Sequence, residues 1–245
     1  MILRPVLAAG DGRLVCALST RLGGVSAGSF GMNLSFSVGD DPAAVRENRR
    51  RFFAAAGVPQ ERVVFQKQVH GAAVRPVDVP GTIEATDGIC TATPDLYLCV
   101  TVADCVPVFL YDPAAPAIGV VHAGWRGTVA GIVKHGVEVM IRELGAQPAR
   151  IKAYIGPSAG VCCYIVGDEV SSRLPAACVV ETPRGRAADL KRANRGLLEE
   201  AGIPPGSIIV DAACTICGSD LYHSHRREGV ASGRMMGVIG LRAVG

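Results

Sequence analysis

No run of about 18–20 consecutive apolar residues occurs in the 245-residue chain, so no segment reads as a membrane-spanning helix. The opening stretch MILRPVLAAGDGRLVCAL also lacks a uniform apolar region followed by a small-residue cleavage site, and a cytoplasmic location is expected. Charge is sparse. Only 19% of residues are charged, the net charge is +3, and the arginines are dispersed rather than gathered in a stripe, which argues against a nucleic-acid partner but leaves a small anionic ligand open. There is no low-complexity linker, no charge block and no repeat of fixed period, so one domain over residues 1–245 is expected. No stretch identifies a dimer surface, and the oligomeric state stays open.

What the chain has instead is apolar residues and cysteine. At 49% apolar content it can bury a substantial core. Nine cysteines run from Cys16 to Cys217, an odd number with no secretory leader beside it, so reduced thiols are expected rather than a disulfide framework.

A strand over Arg13–Ser19 is expected, then a Gly- and Ser-rich loop over Thr20–Phe36. Asp41 and Pro42 read as N-cap and first helical residue, Val45, Phe52, Phe53 and Ala56 share a face, and Gly57 is the stop. Val63–Phe65 and Ala72–Val77 read as short strands with His70 at a turn between them. Leu96–Ala103, Val106–Tyr111 and Ile118–Val121 have the mostly apolar make-up of strands buried on both faces. Thr128–Leu144 carries a helical apolar stripe, with Thr128 able to cap it and Gly145 to end it. Further strands are expected at Ile151–Ile155, Cys178–Val180, Ile208–Val210 and Met235–Leu241, and a helix near Ala188–Ala201. The sum is an α+β or α/β domain.

His70, Cys105 and His122 each follow an apolar run at an expected strand end, where neighbouring strands can bring side chains together. A cysteine and two histidines suit a Zn²⁺ site whose fourth position is left to water, the pattern of a catalytic rather than a structural zinc. The same residues without metal suit a thiolate nucleophile at Cys105 with His122 or His70 as its base. The turn Ala123–Thr128 joins a strand to a helix through two glycines and offers Arg126, an arrangement receptive to phosphate, although the Gly-Lys-Ser/Thr ending of a Walker loop is missing. Cys162 and Cys163, being adjacent, are expected to point apart on a strand or a turn, so that both do not easily serve one metal, and a packing role is expected. Cys214-x-x-Cys217 could begin a zinc site or a redox pair, but the chain has no second C-x₂-C to complete the structural zinc pattern. The segment Tyr222–Gly229 gathers His223, His225, Arg226 and Arg227, and its two arginines near a glycine turn again suit phosphate.

Several segments together resemble one family: Thr20-Arg-Leu-Gly-Gly-Val-Ser, Asn33-Leu-Ser, Gln68-Val-His-Gly, Thr86-Asp-Gly, Ala103-Asp-Cys-Val-Pro, His122-Ala-Gly-Trp-Arg-Gly-Thr, the Gly-Pro turn before Cys162-Cys163-Tyr164, Ser224-His-Arg-Arg-Glu-Gly and Ser232-Gly-Arg. They occur in the order of the YfiH family, also described as multicopper polyphenol oxidase or laccase-domain proteins. The resemblance implies an α+β fold of layered mixed β-sheets packed with helices. It also implies one zinc held by His70, Cys105 and His122, and purine nucleoside phosphorylase activity on adenosine, inosine and methylthioadenosine with accompanying adenosine deaminase activity. Purine nucleoside and inorganic phosphate are then the partners. Arg126, Arg226 and Arg21, in that order, are the phosphate candidates, with Asn33 and Gln68 as further substrate-binding candidates. Asp87 or Asp104 is the candidate acid, and Asp104 alternatively orients a zinc ligand. Ile165 stands where the family more usually has Glu, so no carboxylate role is carried there; His225 and Ser232 replace a common aromatic and a common threonine. The rivals are a metal-independent Cys-His hydrolase, for example of cell-wall precursors, a copper-dependent polyphenol oxidase, and a nucleotide-binding module without turnover. Copper fits less well than zinc, because several coppers need many imidazoles and the chain has five histidines.

Overall fold

The computed structural model describes residues 2–5, 7 and 11–243, so residues 1, 6, 8–10, 244 and 245 of the expected 1–245 domain lie outside the described residues. Fourteen strands are labelled in chain order: β1 (Ile2–Leu3), β2 (Leu14–Ser19), β3 (Val63–Gln66), β4 (Val74–Pro76), β5 (Gly81–Ile83), β6 (Gly88–Thr91) and β7 (Tyr97–Val102). They continue as β8 (Val106–Asp112), β9 (Ala117–Ala123), β10 (Lys152–Ile155), β11 (Val179–Thr182), β12 (Gly185–Ala188), β13 (Ile208–Val210) and β14 (Met235–Leu241). The helices are α1 (Pro42–Ala56), α2 (Trp125–Val129), α3 (Ile132–Leu144), α4 (Asp168–Ser171), α5 (Leu190–Glu200) and α6 (His225–Glu228).

Two six-stranded mixed sheets result, one in the order β1-β2-β14-β7-β3-β5 and the other β13-β10-β8-β9-β6-β4, with β11 and β12 as a separate pair. The period of two along each central strand explains how they stack. On β7, Leu98, Val100 and Val102 face the second sheet, where Phe109, Tyr111, Ile118 and Val120 meet them. Tyr97 and Cys99 turn the other way, joining Val15, Ala17, Met236 and Val238 under Phe52 and Phe53 of α1. On β8, Val106, Val108 and Leu110 leave the inter-sheet layer for the outer one and pack with Val133, Val137 and Met140 of α3 and with Leu198 of α5. The order of layers is therefore helix, sheet, sheet, helix in one domain, the expected α+β class. It also gives the reason for the uniform apolar strands: both of their faces are covered.

Helix α1 forms as its sequence dictates. The Asp41 side chain accepts from the Ala43 N–H, Pro42 opens the first turn, and Gly57 closes the helix at φ 71°. Elsewhere the expectations need correction. The stripe over Thr128–Leu144 is two helices, because Gly131 takes φ 75° and breaks the ladder between α2 and α3; the N-cap of α2 is Gly124, and Thr128 lies inside it. The strand expected at Ala72–Val77 shortens to β4, and β5 and β6 were not anticipated, being too short to show a period. Ala188 closes β12, and Asp189 caps α5 by accepting from the Arg192 N–H.

Candidate metal centre

Strand directions bring three distant residues to one end of the second sheet. β9 runs antiparallel to both β6 and β8, and β4 parallel to β6, so the end of β9 lies beside the starts of β4, β6 and β8. His122 is the penultimate residue of β9 and pairs with Pro107. Cys105 immediately precedes β8, in the turn that crosses from β7 of one sheet to β8 of the other. His70 lies in the turn before β4 with φ 58°. Their ligand atoms all lie within 4.8 Å of one another, and the two imidazoles stand edge to face at 4.8 Å between centroids.

Two carboxylates hold this group, and neither is free. Asp87, fully buried, accepts the backbone N–H groups of Val69, His70 and Gly71 at 3.1, 3.0 and 2.8 Å and sits 2.8 Å from His122 Nδ1. One side chain thus shapes the His70 turn and orients the His122 ring, leaving Nε2 to face Cys105. Asp104 accepts from Thr215 Oγ1 at 2.6 Å, Ser224 Oγ at 3.0 Å and the Arg226 N–H at 2.6 Å. These bonds hold it at φ 80°, a conformation disfavoured for a residue with a side chain, and it is this bend that delivers Cys105 to the histidines.

Burial pushes the Cys105 thiol up, but the charge and hydrogen bonds of His122 and the hydrogen bond of His70 overcome it and hold the thiol down to about 6. Burial lowers His122, and the neighbouring Cys105 and Asp87 prevail and raise it to about 9. Without metal these shifts favour the ionised forms of the pair, thiolate and imidazolium. With one, both would be deprotonated donors, and the set of one thiolate and two imidazoles suits zinc or another borderline-soft cation. The Gly124 backbone is packed against two of the donors, where a side chain would intrude: a Cβ there would stand 2.9 Å from His70 Nδ1 and 3.2 Å from Cys105 Sγ.

A cavity of about 360 Å³ opens over these three residues, within the range of small-molecule sites. Its walls include Gln68, Asp104, Tyr164, Arg226 and Arg234. Arg226 spans the Tyr164 ring at 4.9 Å and donates to the Ile165 carbonyl at 2.8 Å. Arg234 donates to the carbonyls of Ser232 and Gly233; burial lowers its guanidinium from the ordinary value, and the charges of Cys105 and Asp104 oppose that. Sequence reasoning missed Arg234, although the Ser232-Gly-Arg motif contained it. A larger cavity, about 490 Å³, lies between Thr128, Leu174 and Arg192 and has none of these donors.

The other candidates are placed differently. Gln68 lines the cavity, but its amide is spent on the backbone and hydroxyl of Thr101. Asn33 is fully buried behind it, donating to Ser35 O and Asp40 Oδ2 and accepting from the Arg234 N–H. Arg21 pairs with Glu228 at 2.8 Å and donates to the Ser219 and Ser29 carbonyls. Arg126 is exposed, stacked on Trp125 at 4.4 Å, and is not among the residues lining the cavity. The expectation that Cys162 and Cys163 point apart and do not easily serve one metal is corrected: on the turn they occupy, both sulfurs join those of Cys214 and Cys217.

His223, two residues before α6, is fully buried, with neither ring nitrogen hydrogen-bonded and Glu228 Oε2 3.9 Å from Nδ1. Burial, aided by the charge of Arg21 and opposed by Glu228, pushes its pKa down to about 4. The unfolded chain then binds a proton between pH 6.5 and 4 that the folded chain refuses, so stability is present above 6.5 and is lost as pH falls through that window. The loss is about 3 kcal/mol. Urea unfolding of the protein and of His223→Gln at stepped pH checks this: the wild type is expected to fall more steeply, and equal slopes would mean the imidazole is not held neutral.

Fold and site together define a four-layer α+β protein able to hold a soft metal ion at one end of its second sheet. The chain belongs to the multi-copper polyphenol oxidoreductase laccase family, whose model matches residues 15–242. It is 43% identical to a purine nucleoside phosphorylase of Deinococcus radiodurans, over 97% of this chain and 93% of that protein. It is 38% identical to the purine nucleoside phosphorylase YlmD of Geobacillus stearothermophilus, over 93% of this chain and 90% of the relative. The crystal structure of that YlmD superposes with a TM-score of 0.91, covering 96% of this chain and 94% of the other. The Bacillus licheniformis hypothetical protein YfiH, 36% identical, gives 0.90 over 95% and 94%.

Proposed function

We propose that the chain is a zinc-dependent purine nucleoside phosphorylase acting on adenosine, inosine and methylthioadenosine, with adenosine deaminase activity at the same site. The observation that carries this reading is the His70–Cys105–His122 cluster on the wall of a cavity that also presents two guanidiniums. The names of the relatives support it. Bound zinc would supply Lewis acidity at the cavity wall.

In phosphorolysis a phosphate oxygen forms a bond to the ribose anomeric carbon while the bond to the purine nitrogen breaks, and the leaving base takes up a proton. Arg226 and Arg234 are the groups that meet the dianion, each already fixed by backbone carbonyls so that little order is lost on binding. Arg126 and Arg21, turned to Trp125 and Glu228, take no part in this reading. Asp87 is a positioning residue: enclosed by three N–H groups and an imidazole, it holds His122 in one tautomer and does not reach substrate. Asp104 is a positioning residue too, fixing the bend before Cys105 and the Arg226 backbone.

The test is incubation with adenosine, with and without phosphate, resolving adenine, inosine and hypoxanthine. Phosphate-dependent adenine supports the phosphorylase, and phosphate-independent inosine the deaminase. Formation of neither would overturn the reading. Arg234→Ala is expected to raise the KM for phosphate about 10- to 100-fold, the worth of a charge-assisted hydrogen bond. A second reading, a Cys-His hydrolase, is favoured by the Asp87–His122–Cys105 alignment and the lowered Cys105 thiol. It requires full activity in chelator, whereas the zinc enzyme loses activity there and regains it with zinc. The five histidines do not favour several coppers: among the described residues only His70 and His122 share a cluster, His135 and His225 bond to the Ala72 and Gly229 carbonyls, and His223 is buried outside that cluster.

A further inference from the structure

Four of the nine cysteines stand apart from the site above yet close to one another. β10 and β13 are parallel neighbours, so the chain leaves both at the same end of the sheet. After β10 it makes a turn closed by the Cys163 and Tyr164 N–H groups on the Gly160 carbonyl, at 3.0 and 2.9 Å. After β13 it makes another, closed by the Gly218 N–H on the Cys214 carbonyl at 2.9 Å. Ser158 and Cys214 bridge the two turns. The sulfurs of Cys162, Cys163, Cys214 and Cys217 all fall within 4.8 Å of one another, with Cys217 Sγ 3.4 Å from Cys162 Sγ and 3.1 Å from Cys163 Sγ. All four are free thiols. A tetrahedral zinc with bonds of about 2.3 Å spaces its sulfurs by about 3.8 Å, inside the spread seen here.

The surroundings fit an anionic thiolate cluster. Gly160 donates its N–H to Cys214 Sγ at 3.2 Å, and a Cβ there would stand 3.3 Å from both Cys162 Sγ and Cys214 Sγ, so backbone is pressed against two of the sulfurs. Lys191 donates to the Asp211 and Ala213 carbonyls at 2.7 and 2.6 Å, Arg227 to those of Thr215 and Ile216 at 2.7 Å, and Arg184 to that of Cys162. Three cationic side chains thus fix the two turns; Arg227 is paired with Glu228, while Lys191 and Arg184 add positive charge beside the net charge of about −2 that Zn²⁺ with four thiolates carries.

We propose that Cys162, Cys163, Cys214 and Cys217 form a second metal centre, a structural zinc site with four thiolate ligands. Four S–H protons leave to solvent as four Zn–S bonds form, and no oxidant is needed. The closed ligand set leaves no position for substrate. Its effect is mechanical, since the stapled turns carry Thr215, which donates to Asp104, and Ala159, whose N–H donates to the Asp104 carbonyl at 2.9 Å.

Protein purified under reducing conditions without added metal is expected to hold about two zinc equivalents by elemental analysis. The double variant Cys214→Ser/Cys217→Ser should hold about one, and His70→Ala also about one, so loss of the two centres reads separately. For a form that needs no variant, Co²⁺-exchanged wild type is expected to show the intense thiolate-to-metal charge-transfer absorption of a four-sulfur site, well above that of one cysteine. One equivalent in the wild type that the double variant retains would overturn the proposal. So would non-reducing intact mass showing these cysteines paired as disulfides in metal-free turns.

Discussion

Cys105→Ala is expected to remove the metal from the His70–Cys105–His122 cluster and to lower phosphorolysis by about 10³-fold or more, on the basis of several kcal/mol of Lewis-acid stabilisation lost. The fold should survive. Cys105 is half-buried in a turn whose bend is held by Asp104, not by the sulfur, and alanine keeps the Cβ. Elemental analysis beside steady-state rates and a thermal melt checks the expectation. A variant that retains metal at this cluster and full rate would dismiss both readings of the site, because the hydrolase needs the same sulfur as its nucleophile. The two readings part on Cys105→Ser. An alkoxide-poor hydroxyl is a weak ligand and a weak nucleophile alike, but added zinc is expected to restore part of the activity only where the metal supplies the chemistry.

Asp87→Ala is expected to be the most damaging single change to the site's frame. It removes the fully buried acceptor of the N–H groups of Val69, His70 and Gly71 and of the Nδ1 of the buried His122. Breaking such a buried, partly ionic arrangement costs about 3–5 kcal/mol. Metal affinity is expected to fall about 10- to 100-fold even in molecules that remain folded, the usual effect of losing the carboxylate behind a ligating imidazole. Asp87→Asn keeps one acceptor oxygen and sets an N–H₂ against the remaining donors, so it should lie between wild type and alanine. Denaturant unfolding and metal competition measured on both variants test this, and an alanine variant as stable as wild type would show that the three N–H groups find other partners. Burial raises the Asp87 carboxyl and the hydrogen bonds of His122 and Gly71 bring it below its ordinary value. The stability it contributes is therefore present above the ordinary carboxylate pKa and lost as pH falls through the lower folded value.

Helix α1 was legible because everything that makes it is local: Asp41 and Pro42 start it, Gly57 ends it, and Phe52 and Phe53 face one way. The break at Gly131 was not, since a single glycine inside an apolar stripe is compatible with a continuous helix and only packing of α2 and α3 against β9 separates them. Strands β5 and β6 hid for a similar reason. They are three and four residues long and gain their place from β3, β4 and β9 rather than from any period of their own.

For the site, His70, Cys105 and His122 were marked by residue type and by their position at strand ends, and the family motifs tied them together. Arg126 ranked first for phosphate on the chemistry of its glycine-rich turn, but the direction of its side chain over Trp125 is a tertiary fact. Arg234 was quoted within the Ser232-Gly-Arg motif without a role, because its place on the cavity wall near Asp104 and Cys105 is set by the tertiary fold.

By itself the sequence determined which segments have two apolar faces, where α1 begins and ends, and which donor atoms are available for a metal, because these follow from local conformation and side-chain chemistry. Tertiary structure alone decided which donors meet. Antiparallel pairing of β9 with β6 and β8 brought His122 to Cys105, the Asp87 carboxylate joined His70 to them, and the parallel pairing of β10 with β13 gathered four cysteines from two distant turns. The reason is the range of the forces: a cap or a turn is settled by neighbours within a few residues, whereas the meeting of strand ends depends on how whole sheets bury their apolar faces.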